Sequence, residues 1–337
     1  MKKFALIYLL ILSALPQNVL ADEVNVYSAR KEALIRPLLE RFTKTTGIIV
    51  NLVTGKADAL LSRLQNESRN SPADLFITVD VGRLSRAKNA GVLQPVSDPG
   101  LEQLVPTRYR DRGNYWFGLS MRARTIVYSR ERVKKTSLSS YQQLADPVWR
   151  KRLCLRSSEN IYNQSLVAAM IVSDGEAATL QWAKGMVRNL ARSPRGGDRD
   201  QIKAVAAGLC DVTLINTYYL GRMIKSKRQD ARAVAAKVAI FWPNQQGRGV
   251  HVNISGAGVT VSAPHRENAI RLLKFLLTAE SQRWYAKVNY EYPVRAGIAV
   301  DPLVAGWGEF KRDDGPLPQL GDFNARAVML MDDAGWK

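Results

Sequence analysis

Histidine and cysteine are scarce in this chain: only His251 and His265, and only Cys154 and Cys210, occur in 337 residues. A histidine-rich zinc or copper site is therefore not expected, because such sites draw several of their ligands from histidine. Neither histidine belongs to a nucleophile–base pattern and no serine nucleophile motif occurs, so a periplasmic hydrolase is a remote reading and the chain is expected not to be an enzyme. Tandem repeats and low-complexity segments are lacking as well. Beyond the first residues, no apolar run approaches the roughly 20 residues needed to cross a bilayer.

The start of the chain is different. Met1-Lys2-Lys3 precedes an apolar stretch from Phe4 to Pro16, and Val19-Leu20-Ala21 leads to the acidic pair Asp22-Glu23. A charged start, a short apolar middle and small residues before a break predict a signal peptide over residues 1–21, cleaved after Ala21, and hence a periplasmic protein. Removing 21 of 337 residues leaves 316, a length that suggests two domains. The formal charge of +19 includes Lys2 and Lys3, so the mature chain carries +17. Such a balance favours acidic partners, but the basic residues are dispersed and no nucleic-acid-binding motif occurs, so nucleic acid is not an expected partner. In an oxidising compartment, Cys154 and Cys210 are expected to form one disulfide.

Hydrophobic periodicity alternates between strand and helix. Asn25-Val26-Tyr27-Ser28 reads as a strand, followed by Leu34, Ile35, Leu38, Leu39 and Phe42 at helical spacing. After Gly47 come a strand over 48–53 and a helix carrying Leu60, Leu61 and Leu64; then a strand over 73–78 and a helix from Leu84 to Ala90. Trp116 to Ser120 and Thr125 to Tyr128 read as two extended segments flanking a basic patch, Arg122 and Arg124, where a crossover between lobes is placed. The second half repeats the logic, with strands at 153–155 and 211–216 and helices from Asn163 and over 200–209. The glycines at 247 and 249 precede an apolar stretch over 250–261 that reads as the return to the first lobe. This is an α/β chain, and in open α/β sheets ligands bind outside the carboxyl ends of the strands.

That rule directs attention to the turns after Tyr27 and Thr78, the segment from Arg156 to Asn163 and the turn Asn216 to Tyr219; within these, Tyr218 and Tyr219 are consecutive at a strand end, and Tyr162 lies in the polar turn Ser157 to Gln164. Phenolates are hard anionic oxygen ligands of the kind a ferric ion prefers. The competing reading of the tyrosine pair is packing with polar tips outward, and Ser158 or Asn160 could simply cap a helix. Asp58 reads as a helix-face charge and Asp74 as a structural strand residue.

Several segments, in order, resemble those of bacterial periplasmic ferric-iron-binding proteins: Tyr27-Ser28-Ala29-Arg30, Ser71-Pro72-Ala73-Asp74, Asp80 to Leu84, Ser157 to Gln164, Gly196 to Asp200 and Asn216 to Tyr219. The resemblance spans essentially the whole mature chain. It implies a type II periplasmic-binding-protein fold, two α/β lobes joined by crossover strands around a ligand cleft. The expected lobes are residues 22–122 with 250–298 and 123–249 with 299–337.

Residue by residue, the resemblance places Tyr162, Tyr218 and Tyr219 at the family's second-lobe metal ligands. In the first lobe the chain departs from the pattern: Lys31 and Glu32 stand where some members carry His, or His then Tyr, and Val79 stands where some carry Glu. Tyr27 and Glu32 are retained as further metal candidates. The rest of a ferric shell would fall to a synergistic anion, carbonate, citrate or similar, held by Arg30, Arg124, Ser158, Asn160 and Asn216, since a guanidinium grips a carboxylate through two parallel hydrogen bonds. The resemblance further implies a monomer that delivers iron to an inner-membrane ABC permease. A same-fold binder of an organic anion, a phosphonate or carboxylate, is the competing reading.

Overall fold

The computed structural model describes residues 22–337; the predicted leader lies outside them. The first lobe opens β1 (Glu23–Ser28), α1 (Glu32–Thr46), β2 (Ile49–Thr54), α2 (Ala57–Glu67), β3 (Leu75–Val79), α3 (Val81–Asn89) and α4 (Pro99–Leu104). The periodicity in α1 has its physical cause in the packing, with Ile35, Leu38, Leu39 and Phe42 all buried against the sheet. Gly47 ends that helix in the left-handed conformation, which costs a residue without Cβ least.

The next strand, β4 (Phe117–Ser129), is one unbroken run of 13 buried residues. This corrects the expectation of two extended segments interrupted by a basic patch. Arg122 and Arg124 do not break the strand, because each guanidinium finds polar partners inside the protein: Ser255 for Arg122, and Asn163, Asn216 and Asp198 for Arg124. The chain then forms β5 (Leu153–Cys154), α5 (Ile161–Asp174), α6 (Glu176–Arg188), α7 (Asp198–Ala206), β6 (Val212–Asn216), α8 (Thr217–Ile224), α9 (Gln229–Ala236) and β7 (Val238–Phe241). It returns through β8 (Val252–Val259) to α10 (Arg266–Leu276) and α11 (Ala279–Asn289), and ends with α12 (Pro302–Ala305), α13 (Gln319–Asp322) and α14 (Asn324–Asp333).

The strand order is β2-β1-β3-β8-β4-β6-β5, with β7 also on β4. β1 runs parallel to β2 and β3, whereas β8 is antiparallel to both β3 and β4. β4 changes partner along its length. Phe117 to Ala123 pair with β8, and from Arg124 onward the strand pairs with β6 and β7. One continuous strand thus belongs to two sheet regions, and its neighbour β8 returns beside it. The two strands approach closely: a Cβ at Gly256 would stand 2.7 Å from the Phe117 carbonyl oxygen, so only glycine fits there.

In the second lobe, β5 and β6 are parallel neighbours. Cys154 closes β5 and Cys210 precedes β6, and the two are joined by a disulfide with Cα atoms 5.8 Å apart, as expected from the sequence. Asp74 is structural, as read: its carboxylate accepts from the backbone amides of Asn25 and His265 at 2.7 and 2.5 Å.

Candidate metal and anion site

The strands of both lobes end at one cleft of about 790 Å³. From the first lobe it is bordered by residues that follow β1 (Arg30, Lys31), follow β2 (Lys56, Asp58) and end β3 (Val79). From the second come Arg156 after β5, the start of α7 from Gly197 onward, and Tyr218 and Tyr219 after β6. The segments that the carboxyl-end rule pointed to therefore line one cleft.

Three phenols meet on the second-lobe wall. Tyr162 stands in the first turn of α5 and Tyr218 in the first turn of α8, 9% and 6% exposed, and the Tyr218 hydroxyl donates to the Tyr162 hydroxyl across 3.2 Å. Tyr219 lies beside Tyr218 with ring centroids 4.3 Å apart. Burial, then the neighbouring phenols, pushes the Tyr218 hydroxyl well above the ordinary tyrosine range, while Arg122 pulls it down. Burial raises Tyr219 as well, with the fields of Tyr162 and Asp198 adding to it and Arg156 opposing. An empty cleft thus holds both phenols protonated at neutral pH.

Guanidinium groups surround these rings. Arg122 and Arg156 lie 5.7 and 5.8 Å from the Tyr162 ring centroid, and Arg222 lies 5.2 Å from that of Tyr218. Arg122 is 2% exposed, and its Nε and Nη1 have no hydrogen-bond partner. Burial works against its charge, yet the fields of Tyr162, Tyr218, Glu291 and Asp80 hold its pKa above the ordinary value. Arg30 is fixed by Glu291, its Nη2 donating across 2.9 Å, and Ser120 donates to the same carboxylate at 2.6 Å. Burial would raise Glu291, but Arg30, Arg122 and the Ser120 hydrogen bond bring it below the usual carboxylate range. Asp198, 1% exposed, pairs with Arg156 and with Arg124 and accepts from the Asn216 amide. Nine cationic side chains border the cleft against four carboxylates, a surplus of five positive charges.

The structure brings Tyr162, Tyr218, Tyr219 and Arg30 together at the cleft. Other candidates stand elsewhere. Tyr27 points away, its phenol donating to both carboxylate oxygens of Glu67 at 2.9 and 3.0 Å under the Arg63 guanidinium. Glu32 is half-exposed on α1 and pairs with Arg36, one helical turn on. Arg124 and Asn216 are buried behind the wall, bonded to each other and to Asp198. Ser158 and Asn160 serve the turn before α5, where the Ser158 carbonyl accepts from Gln164 and the Asn160 carbonyl accepts from the Asn163 and Gln164 amides; neither residue borders the cleft. Asp58, read as a helix-face charge, pairs with Arg86 at 2.8 Å and also borders the cleft. Arg156 opened a segment that the carboxyl-end rule singled out but was given no role, and Arg222, Asp198 and Glu291 were missed. Arg156 and Asp198 lay inside or beside segments that carried the family resemblance, and that proximity was the available signal; Glu291 and Arg222 had none.

The matches to known proteins agree with this geometry. Residues 70–308 match the family model of bacterial extracellular solute-binding proteins. Iron uptake protein A1 of Synechocystis is 50% identical over 94% of this chain and 88% of that protein. The chain belongs to the bacterial extracellular solute-binding proteins. This solute-binding protein is also 31% identical to the Fe(3+)-binding periplasmic protein of Serratia marcescens, over 95% of the chain and 92% of that protein. A Trichodesmium protein solved in complex with iron and citrate superposes with a TM-score of 0.90 at 47% identity, covering 94% of this chain and all of that one. The two-lobed periplasmic-binding-protein fold and the family inferred from the sequence are thereby borne out.

Proposed function

We propose that this protein is a periplasmic binding protein that captures ferric iron through the phenolates of Tyr162, Tyr218 and Tyr219, together with a synergistic anion, and delivers it to an ABC importer as a monomer. The observation that carries this reading is the convergence of three phenols, from two separate helices, within a ring of guanidinium groups. Among the described residues no cluster of three His, Cys, Asp or Glu side chains could hold a metal instead.

Charge explains the anion. Three phenolates neutralise one ferric ion, so the cationic surplus of the cleft persists after metal binding and attracts a carbonate or a carboxylate such as citrate. Arg30, preset by Glu291, and Arg122 border the cleft from the first-lobe side and supply charge that attracts such an anion. Lys31 occupies the first-lobe place of a potential ligand and supplies another cation in its stead. The second lobe then binds metal first, the anion recruits the first lobe, and loss or protonation of the anion at the permease weakens the site. By linkage, the anion and iron must tighten each other's binding equally.

The test is a visible titration of metal-stripped protein with ferric iron, with and without bicarbonate or citrate, in wild type and in Tyr218→Phe and Tyr219→Phe. A stoichiometric phenolate-to-iron absorption, weakened by either change, is expected. Absence of colour with every anion would overturn the iron reading and leave an organic anion as the cargo.

A further inference from the structure

Behind the tyrosine wall lies a carboxylate that the iron reading leaves unused. Asp80 is fully buried at the start of α3 and has a φ of 82°, a conformation natural to glycine and strained for a side chain. Its bonds account for the choice of residue. Oδ1 accepts from the Gly82 amide at 3.0 Å and from the Ser165 hydroxyl at 2.5 Å, while Oδ2 accepts from Asn253 Nδ2 at 3.0 Å. The Asp80 amide itself donates to the Ile254 carbonyl at 2.8 Å.

These partners come from both halves of the molecule. Gly82 lies in the first turn of α3 in the first lobe, Asn253 lies on the returning strand β8, and Ser165 lies on α5, three residues after Tyr162. On a helix that spacing is about one turn. Asn253 cannot turn its amide over, because its Oδ1 already accepts from the Val81 and Ile254 amides at 2.9 and 2.7 Å. Its nitrogen must face Asp80, so both oxygens at position 80 must be acceptors, a demand that a carboxylate meets and a side-chain amide does not. Burial opposes the charge, and Arg122, the guanidinium beside Tyr162, offsets part of that cost.

We propose that Asp80 is a positioning residue for the metal site: through Ser165 it ties the first lobe and the returning strand to α5, and so sets where Tyr162 stands relative to Tyr218. This inference rests on the reading of Tyr162 as an iron ligand, but one arm of its test does not need metal.

Asp80→Asn sets two amide groups donor to donor. The double variant Asp80→Asn/Asn253→Asp restores the match, because the amide introduced at 80 then donates to the carboxylate introduced at 253, which still accepts from the Val81 and Ile254 amides. Ser165→Ala cuts the tie to α5 alone and carries the test if Asp80→Asn does not fold. Two quantities are read in each protein: hydrogen exchange of the amides in the first turn of α5 without metal, and the ferric titration with its absorption maximum. Asp80→Asn and Ser165→Ala are expected to speed the exchange, shift the absorption and weaken iron binding about 10-fold, with the double variant returning toward wild type. Lower melting temperatures with unmoved exchange and absorption, or a double variant no better than the single one, would overturn the proposal. If the wild type shows no iron absorption at all, the exchange arm still decides the role of Asp80, and the failure belongs to the iron reading.

Discussion

Replacing Tyr218 by phenylalanine removes one oxygen and one titratable proton while keeping the ring that packs 4.3 Å from Tyr219. An unperturbed phenol ionises near pH ~10, and each pKa unit corresponds to about 1.4 kcal/mol, so ionising one at neutral pH costs at least about 4 kcal/mol before metal arrives. Burial and the adjacent phenols raise that cost for Tyr218 and Tyr219. Metal binding must supply it, and each coordinated phenol must give up its proton. The sign follows: protons are bound in the empty protein and absent in the complex, so affinity rises with pH throughout the range below the raised pKa values.

If Tyr162, Tyr218 and Tyr219 all coordinate as phenolates, the wild type is expected to release three protons per iron and its apparent affinity to climb about a thousandfold per pH unit; Tyr218→Phe is expected to release two, with a climb of about a hundredfold per unit. A weakly buffered titration with an indicator dye, using a ferric chelate of known protonation and a fixed anion, counts the protons directly. Equal proton release from wild type and variant would refute phenolate coordination by Tyr218, whatever the change in affinity.

His251 is buried, and burial, then Arg248, Arg124 and Arg122, holds its pKa well below the ordinary histidine value. Its neutral form is favoured in the folded state, so stability is full above the unfolded pKa of about 6.5 and falls by up to about 1.4 kcal/mol per pH unit as pH drops below it. His251→Asn should flatten that part of a urea-midpoint series; an unchanged slope would remove His251 as its cause. Reduction of Cys154–Cys210, which closes a sequence separation of 56, should lower stability by up to about 4 kcal/mol on the chain-entropy account. The iron absorption of the still-folded fraction should be unchanged, because Cys210 precedes β6 and the tyrosine pair follows it.

Much of the architecture was legible in the residues. The apolar spacing of Ile35, Leu38, Leu39 and Phe42 identified α1, because a helix packing on a sheet must bury one stripe. The carboxyl-end rule selected, without coordinates, the segments that carry Tyr162, Tyr218 and Tyr219 to the cleft. What misled was polarity read locally. Arg122 and Arg124 marked a break in the extended structure only for as long as their partners were unseen; Ser255 and Asn163 supply those partners from 133 and 39 residues away. Tyr27 and Glu32 follow the same pattern, since the sequence places both near a strand end but cannot say which way a side chain turns. Glu67 and Arg36 decided that.

By itself, then, the sequence determined the alternation of strands and helices, the disulfide and the identity of the phenol-bearing turns, because these depend on short-range periodicity, on compartment chemistry and on residue type. Only the tertiary structure decided that β4 passes unbroken between two sheet regions, that Glu291 presets Arg30, and that Asp80 reaches α5 through Ser165. Those features pair residues 261 and 85 positions apart, and such pairings arise from closing the fold, which no local pattern encodes.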